Sequence, residues 1–518
     1  MDARRRDLLK LAWTLGMATL AHPLVERRAF AQATFSDYPF SLGVASGDPA
    51  PDGAVIWTRL APKPLDGGGM PMAPLEVRWE VAADAGCYDI VQRGTTIARP
   101  ELGHSVHVEL TNLFAGREYW YRFRVGNETS QIGRLVTAPA AGARVDRLRF
   151  ATCGCAHWEQ GLFTAYRDIA AQQFDFVFYT GDYLYEQRAI GARNDWAVRQ
   201  HIGDELFTVV DYRNRYAQYR TDPNLRAAHA STPFIMSFDD HEVADDYASA
   251  IDEFGTSPEV FLLRRAAAYQ AWYEAMPVRA SAFPRGPDLR MYRRLQFGSL
   301  IDLNVLDTRQ YRSDQVCGDN YQRQCADALA ADRTMLGAAQ ETWLHANLAS
   351  AKATWTVIAQ QTPSFAMNRS AVRPDGPYSM DSWDGYTAAR TRLYRSLTET
   401  KAANPIVLSG DVHEHYAAEL KSDFRDARSA TIGVELTNTS ISSGGDGTDI
   451  STEWLRIKDD NPHVRHHSNR RGYVACTVTP NELRADFKVL DTVSVPDGRV
   501  RSSGAFVVEA GRPGLQQG

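Results

Sequence analysis

Cysteine is scarce in this chain, at six residues in 518. That excludes a disulfide-stapled scaffold, so a buried core must hold the fold. Long apolar runs are missing too. A bilayer span needs about 20 apolar residues, and the longest stretch, Leu11 to Ala21, falls short of it. Positive charge is not in excess. Lys and Arg number 57 against 63 Asp and Glu, a net charge of −6. A protein held to nucleic acid by phosphate contacts needs the opposite balance. Internal repeats are absent, which argues against repeat architectures.

What is present begins at the N-terminus. Arg4-Arg5-Arg6 precedes Asp7-Leu8-Leu9-Lys10, the apolar stretch, and then Ala29-Phe30-Ala31. A charged start, an apolar centre and a small-residue end form a secretory signal, here 1–31. Paired arginines before Leu-Leu-Lys give it the look of a twin-arginine signal. The expected location is therefore secreted or periplasmic, with the twin-arginine export machinery as a partner. No integral membrane segment is expected after cleavage. Removing 1–31 takes six Lys/Arg and three Asp/Glu, leaving 51 against 60. An acidic protein that handles an anionic substrate needs local positive charge, which metal ions supply.

Length predicts more than one domain. Residues 35–140 read as all-β, with short strands at Ala54–Thr58, Leu75–Ala82, Ser105–Leu110 and Tyr119–Val125. Leu113 to Tyr121 resembles the corner of a fibronectin-like sandwich that a Tyr closes. Pro139 to Gly142 reads as a linker. From 146 to 518 strands alternate with helices, which predicts an α/β domain. Helices are expected around Leu162–Ala170, Leu262–Met276, Trp343–Ala351 and Ala388–Thr400, with a helical insertion across Gln187–Ala230. Cys317 and Cys325 lie close together in a polar loop and could pair in an oxidising compartment. Cys87 and Cys476 read as buried apolar residues.

Four apolar runs end on clusters of metal-type donors. Leu148–Thr152 leads into Cys153 and Cys155, Phe174–Thr180 into Asp182 and Tyr185, Phe234–Phe238 into Asp239-Asp240-His241-Glu242, and Ile406–Ser409 into Asp411, His413 and His415. Sites in open α/β sheets form beyond the carboxyl ends of strands. A carboxylate can bridge two ions, and a phenolate suits a trivalent ion. Three acids beside one His would repel one another without cations. If the last run continues as a strand, His413 and His415 share a face.

Taken together and in order, these motifs resemble the PhoD-type alkaline phosphatases and phosphodiesterases, whose core is similar to that of purple acid phosphatases. Phe40–Pro49, Cys155 with Gly161, Gly181–Glu186, Asp239–Val243, Leu306–Arg312, Ser409–His413, Thr439–Gly444 and Arg471–Val474 carry the resemblance. The spacing to Gly161 selects Cys155 over Cys153. The resemblance implies an Ig/fibronectin-like sandwich followed by a four-layer αββα metallophosphoesterase-like domain. It implies one Fe³⁺ held by Cys155 and Tyr185, Ca²⁺ beside it, and Asp182 bridging the two. Asp239, Asp240, His241, Asp411 and His413 are the candidates for the calcium side.

The expected reaction is in-line attack of a metal-bound hydroxide on a small phosphate monoester or diester. His413 or His415 is a candidate to protonate the leaving alcohol, and Arg309 to steady the phosphate. Ser442 and Ser443 are read as pocket wall. A phosphodiesterase of phospholipase D type, on lipid or nucleotide diesters, is the alternative enzyme. A secreted calcium-binding module without turnover is the alternative from another class.

Overall fold

The computed structural model describes residues 34–191, 197–318, 320–370, 376–426 and 428–518. The segment 1–31, where a signal is expected, lies outside them. No helix among the described residues is long and apolar enough to cross a membrane.

The chain is mixed α/β. Its first large sheet has ten strands. In order they are Arg512–Gln517, Val500–Glu509, Glu482–Leu490, Gly472–Val478, Leu148–Cys153, Phe176–Tyr179, Phe234–Met236, Val44–Ala50, Gly53–Arg59 and Ser105–Glu109. The second has seven strands: Arg293–Phe297, Ile301–Val305, Trp355–Ala359, Ile406–Ser409, Thr431–Thr437, His415–Lys421 and Val464–Ser468. Each sheet has a parallel centre, and its strands Phe176–Tyr179, Phe234–Met236 and Ile406–Ser409 read as near-continuous apolar runs because both faces are covered.

One core joins the inner faces of the two sheets. Phe150, Phe176, Val474 and Phe487 from the first meet Phe297, Trp355, Ile406 and Leu436 from the second. The Phe176 and Phe297 rings stack at 4.6 Å. Ile169, Tyr216, Leu225 and Trp272 bring the helices Thr164–Gln172, Val209–Arg220, Pro223–Ser231 and Pro258–Ala275 into the same core. On the other side of the second sheet, Ile358, Val407 and Leu420 pack against Leu344, Leu348, Leu393 and Leu397 of Gly337–Ser350 and Thr387–Glu399.

The N-terminal strands divide between two sheets. Val44–Ala50, Gly53–Arg59 and Ser105–Glu109 extend the first large sheet. Ile90–Ala98, Leu75–Ala82, Glu118–Val125 and Glu128–Thr129 form a separate five-stranded sheet with Gly133–Val136. The Tyr119 hydroxyl accepts the Phe114 N–H at 3.0 Å, as a tyrosine corner requires. Among the described residues the insertion is helical only from Val209. Cys317 and Cys325 form a disulfide, and Cys87, Cys153, Cys155 and Cys476 are free and buried.

Register sets where the loops meet. Tyr179 lies opposite both Cys153 and Met236, so the three parallel strands of the first sheet end level. Ser409 lies opposite Thr437 in the second sheet. An isolated bridge from Gly154 to Ser440 ties the tips of the two sheets together. All the donor-bearing loops therefore open at one edge of the core.

Candidate functional site

Each strand is followed by a turn that reverses the chain over the edge. Cys155, Asp182, Asp411 and His413 all sit at positive φ, between 55° and 69°. Such a conformation costs a non-glycine residue about 1–3 kcal/mol, and it gathers at functional sites. Gly181, at φ 129°, passes so close to the next tip that a Cβ would lie 2.4 Å from that of Asp239. The Asp182 and Asp239 loops are in contact for that reason.

Glu242 ties these loops together. Its Oε2 accepts the Asp182 N–H at 3.0 Å and the Asp239 N–H at 2.8 Å, and its Oε1 accepts the Tyr183 N–H at 2.6 Å. Burial pushes its carboxyl up to about 8, against the pull of those three bonds. A second tie comes from the helix Val209–Arg220. The Tyr219 hydroxyl accepts the backbone N–H of Trp158 at 3.0 Å and of Tyr185 at 3.2 Å, joining the Cys155 and Tyr185 loops.

Two donor groups share Asp182. Cys155, Asp182 and His413 bring ligand atoms within 4.8 Å of one another, and so do Asp182, Asp239 and Asp240. The Tyr185 hydroxyl joins the first group, at 3.0 Å from both Asp182 Oδ2 and His413 Nε2. Its ring lies between those of His157 and His241, with centroids at 4.4 and 4.1 Å. A third group, Asp240, His241 and Asp245, adjoins the second. His241 Nδ1 lies 2.8 Å from Glu186.

The electrostatics are those of crowded, dry anions. Burial, then Asp240 and Asp239, raise the Asp182 carboxyl well above its usual range, with His241 pulling the other way. Burial, then Asp182 and Cys155, do the same to the Tyr185 phenol. The Cys155 thiol is raised by burial, then Asp182 and Asp411. Burial takes Asp239 to about 6 and pulls His413 down to about 3. Burial opposes the charge on His241, but Glu186, Asp182 and Asp240 raise it.

Arg309 is the cation among these carboxylates, with no exposed surface. It pairs with Asp239, with Asp240 at 3.3 Å, with Asp411 at 3.1 Å and with Asp381 at 2.9 Å. Asp381 also meets Arg312 at 2.7 Å. The charge is still incompletely matched. Asp182 Oδ1 is buried without a hydrogen-bond partner, and Asp240 Oδ1 has only the Arg309 guanidinium facing it at 3.3 Å, without a hydrogen bond.

All the donors read from sequence therefore converge: Cys155, Asp182, Tyr185, Asp239, Asp240, His241, Asp411 and His413, with Arg309 among them. Their grouping differs in two respects from the sequence reading. His413 stands with Cys155 and Tyr185, not with Asp239 and Asp240. His415 does not share its face: the chain turns at Asp411 and His413, and the strand begins only at His415. The His415 ring is spent on backbone, with Nε2 at 3.1 Å from the Lys488 carbonyl and Nδ1 at 3.1 Å from the Thr439 N–H. Cys153 belongs to none of these groups. Asp381 and Tyr219 were missed because neither follows a strand as a donor cluster, and Glu242, read as one acid of the Asp239–Glu242 cluster, serves instead as a tie between loops.

The family model described as "PhoD-like phosphatase" matches residues 150–487, and that of the family's N-terminal domain matches residues 26–139. The chain belongs to the PhoD-like phosphatase family. It is 45% identical to alkaline phosphatase D of Bacillus subtilis (strain 168) over 509 residues, 97% of this chain and 86% of that one. A solved structure of PhoD matches with a TM-score of 0.91 at 46% identity, covering 94% of this chain and 93% of that one. As a member of this family the chain is a phosphatase, and the binding module without turnover is set aside.

Proposed function

We propose that this PhoD-like chain is an exported, metal-dependent alkaline phosphatase that hydrolyses phosphate monoesters and diesters, with iron(III) and calcium as resident ions. The observation that carries the reading is Asp182, shared by two donor groups and left with one buried oxygen unpartnered. A cation would satisfy that oxygen. The donor chemistry fits two kinds of ion. Cys155 and Tyr185 are anionic donors suited to iron, and Asp239 and Asp240 offer the hard oxygens that calcium prefers. Bound there, such ions would activate water, neutralise phosphate oxygens and fix an in-line geometry.

The chain's own groups do the rest. Arg309 spends its N–H groups on Asp239, Asp381 and Asp411, so it sets the carboxylates rather than meeting phosphate from the solvent side. Burial keeps His413 neutral, which suits an electron-pair donor and not the acid for the leaving alcohol. Glu242 and Tyr219 fix the loops on which the donors stand.

The same reading takes 1–31 as a twin-arginine signal, 35–140 as an Ig-like sandwich and 146–518 as a four-layer αββα catalytic domain. The Tyr119 corner and the helices outside the paired sheets support it.

The test is metal analysis of the exported protein with rates on p-nitrophenyl phosphate and its bis-ester. Chelation should abolish both rates, and iron with calcium should restore them. A visible tyrosinate-to-iron band should accompany full activity. A colourless, fully active protein without iron would sink the iron assignment. A rate confined to the diester would favour the phospholipase D type.

A further inference from the structure

The loop Thr439–Gly444 enters the site from the second sheet, and the sequence marks it only as a pocket wall. Ser443 in it is fully buried. Its hydroxyl accepts the His157 N–H at 3.1 Å, and its one hydrogen faces two acceptors, the Cys155 carbonyl at 2.8 Å and, nearer, the Tyr185 oxygen at 2.7 Å. Around that tyrosine oxygen, Asp182 has only lone pairs to offer and His413 is itself a donor candidate. Ser443 is the neighbour whose hydrogen turns freely about a C–O bond.

Ser443 is held from behind. Its carbonyl accepts from the Arg471 guanidinium and from the Ser440 hydroxyl at 2.6 Å. Arg471 also donates to Ser440 Oγ at 2.7 Å and to the Asn469 carbonyl. The approach is close: a Cβ on Gly444 would come within 2.8 Å of Arg471 Nη1. Arg471 is a buried cation with no ion pair among the described residues, and its Nε has no partner. Burial works against its charge, while Glu414, Cys155 and Tyr185 favour it. A buried cation without a bonded counterion is costly unless anions stand near it in the working state.

We propose that Ser443, clamped by Arg471, is a positioning residue for the metal-bound form of Tyr185. Its hydroxyl donates to the tyrosine oxygen, and the Arg471 charge offsets the negative charge of the Tyr185 and Cys155 donors. This rests on the reading of those two residues as metal donors. Groups of this kind orient the direct ligands, and losing one costs about 10–100-fold in metal affinity.

The experiment compares Ser443→Ala, Arg471→Met, Arg471→Lys and the neighbouring control Ser442→Ala, whose hydroxyl bonds the His157 carbonyl instead. Each is read by its visible spectrum and by the metal retained against graded EDTA. Ser443→Ala should move the tyrosinate band to longer wavelength, because a phenolate without its hydrogen bond holds its electrons less tightly. It should also lose its metal at about tenfold less chelator. Arg471→Met should follow it, Arg471→Lys, which keeps the charge but not the fork of donors, should fall between, and Ser442→Ala should stay near the wild type. Ser443→Ala with an unchanged band and unchanged retention overturns the proposal. So does a folded Arg471→Lys that loses metal as readily as Arg471→Met. If Arg471→Met does not fold, Ser443→Ala decides. If the wild type holds metal without a visible band, retention alone decides. A wild type that holds no metal would sink the donor reading, and this proposal with it.

Discussion

Above about pH 8, where the Glu242 carboxyl is ionised, Glu242→Gln removes one charge and one acceptor from the tie between the Asp182 and Asp239 loops. The carboxylate serves three N–H groups with two oxygens. The glutamine amide has one oxygen. In its better orientation that oxygen replaces Oε2 and keeps the Asp182 and Asp239 bonds. The NH₂ group then faces the Tyr183 N–H across the former 2.6 Å contact, donor to donor. One buried N–H left unmet costs about 1–3 kcal/mol. The two retained bonds lose their charge assistance, worth roughly 0.5–1 kcal/mol each. The sum is about 3 kcal/mol, since Glu242 has no exposed surface through which water could repair the loss. Urea denaturation of the metal-free protein, run above about pH 8, should show that deficit. Metal retention should fall in parallel, because both loops carry donors. A Glu242→Gln protein within about 0.5 kcal/mol of the wild type, a change ordinary for surface sites, would refute the tie.

Two further outcomes follow from buried charge. Arg309→Met leaves Asp239, Asp240, Asp381 and Asp411 without their shared cation. The metal-free protein should lose about 3–5 kcal/mol. Saturating calcium should shrink that deficit, and urea midpoints with and without calcium check it; equal deficits would speak against a cation site there. Burial holds His107, His463 and His466 at about 4 in the folded chain. The unfolded chain takes up these protons near 6.5, so it binds more of them between pH 6.5 and 4. Stability is then fully present above pH 6.5 and falls as pH drops to 4, by at most about 3 kcal/mol per histidine. His463→Gln should flatten that slope by one proton, and an unchanged slope would contradict it.

The sequence made the parallel strands and their tips plain, because fully buried strands are short apolar runs and a turn must follow each. The observed strands Leu148–Cys153, Phe176–Tyr179, Phe234–Met236 and Ile406–Ser409 fall within or against those runs. The edge strand Ile90–Ala98 was not legible. It alternates the exposed Val91, Arg93 and Thr95 with half-buried residues, so no apolar face repeats, and Gly94 interrupts it to admit the Trp79 ring. The helix Val209–Arg220 was blurred because it buries Arg215 and Arg220 among aromatics instead of showing an apolar stripe. At the site, donor identity could be read from spacing, but grouping could not. His413 turns toward Tyr185 only because Asp411 and His413 adopt left-handed backbone, which residue type does not announce. Ser443, Asp381 and Tyr219 act through long-range contacts that no local motif encodes.

The central claim is that Asp182 joins two metal-binding groups. Metal content of Asp182→Asn, measured with its rate on p-nitrophenyl phosphate, tests that most directly. The account predicts a folded protein that loses ions from both groups together and, with them, hydrolysis. A folded Asp182→Asn protein with its full complement of metal and an unchanged rate would contradict it.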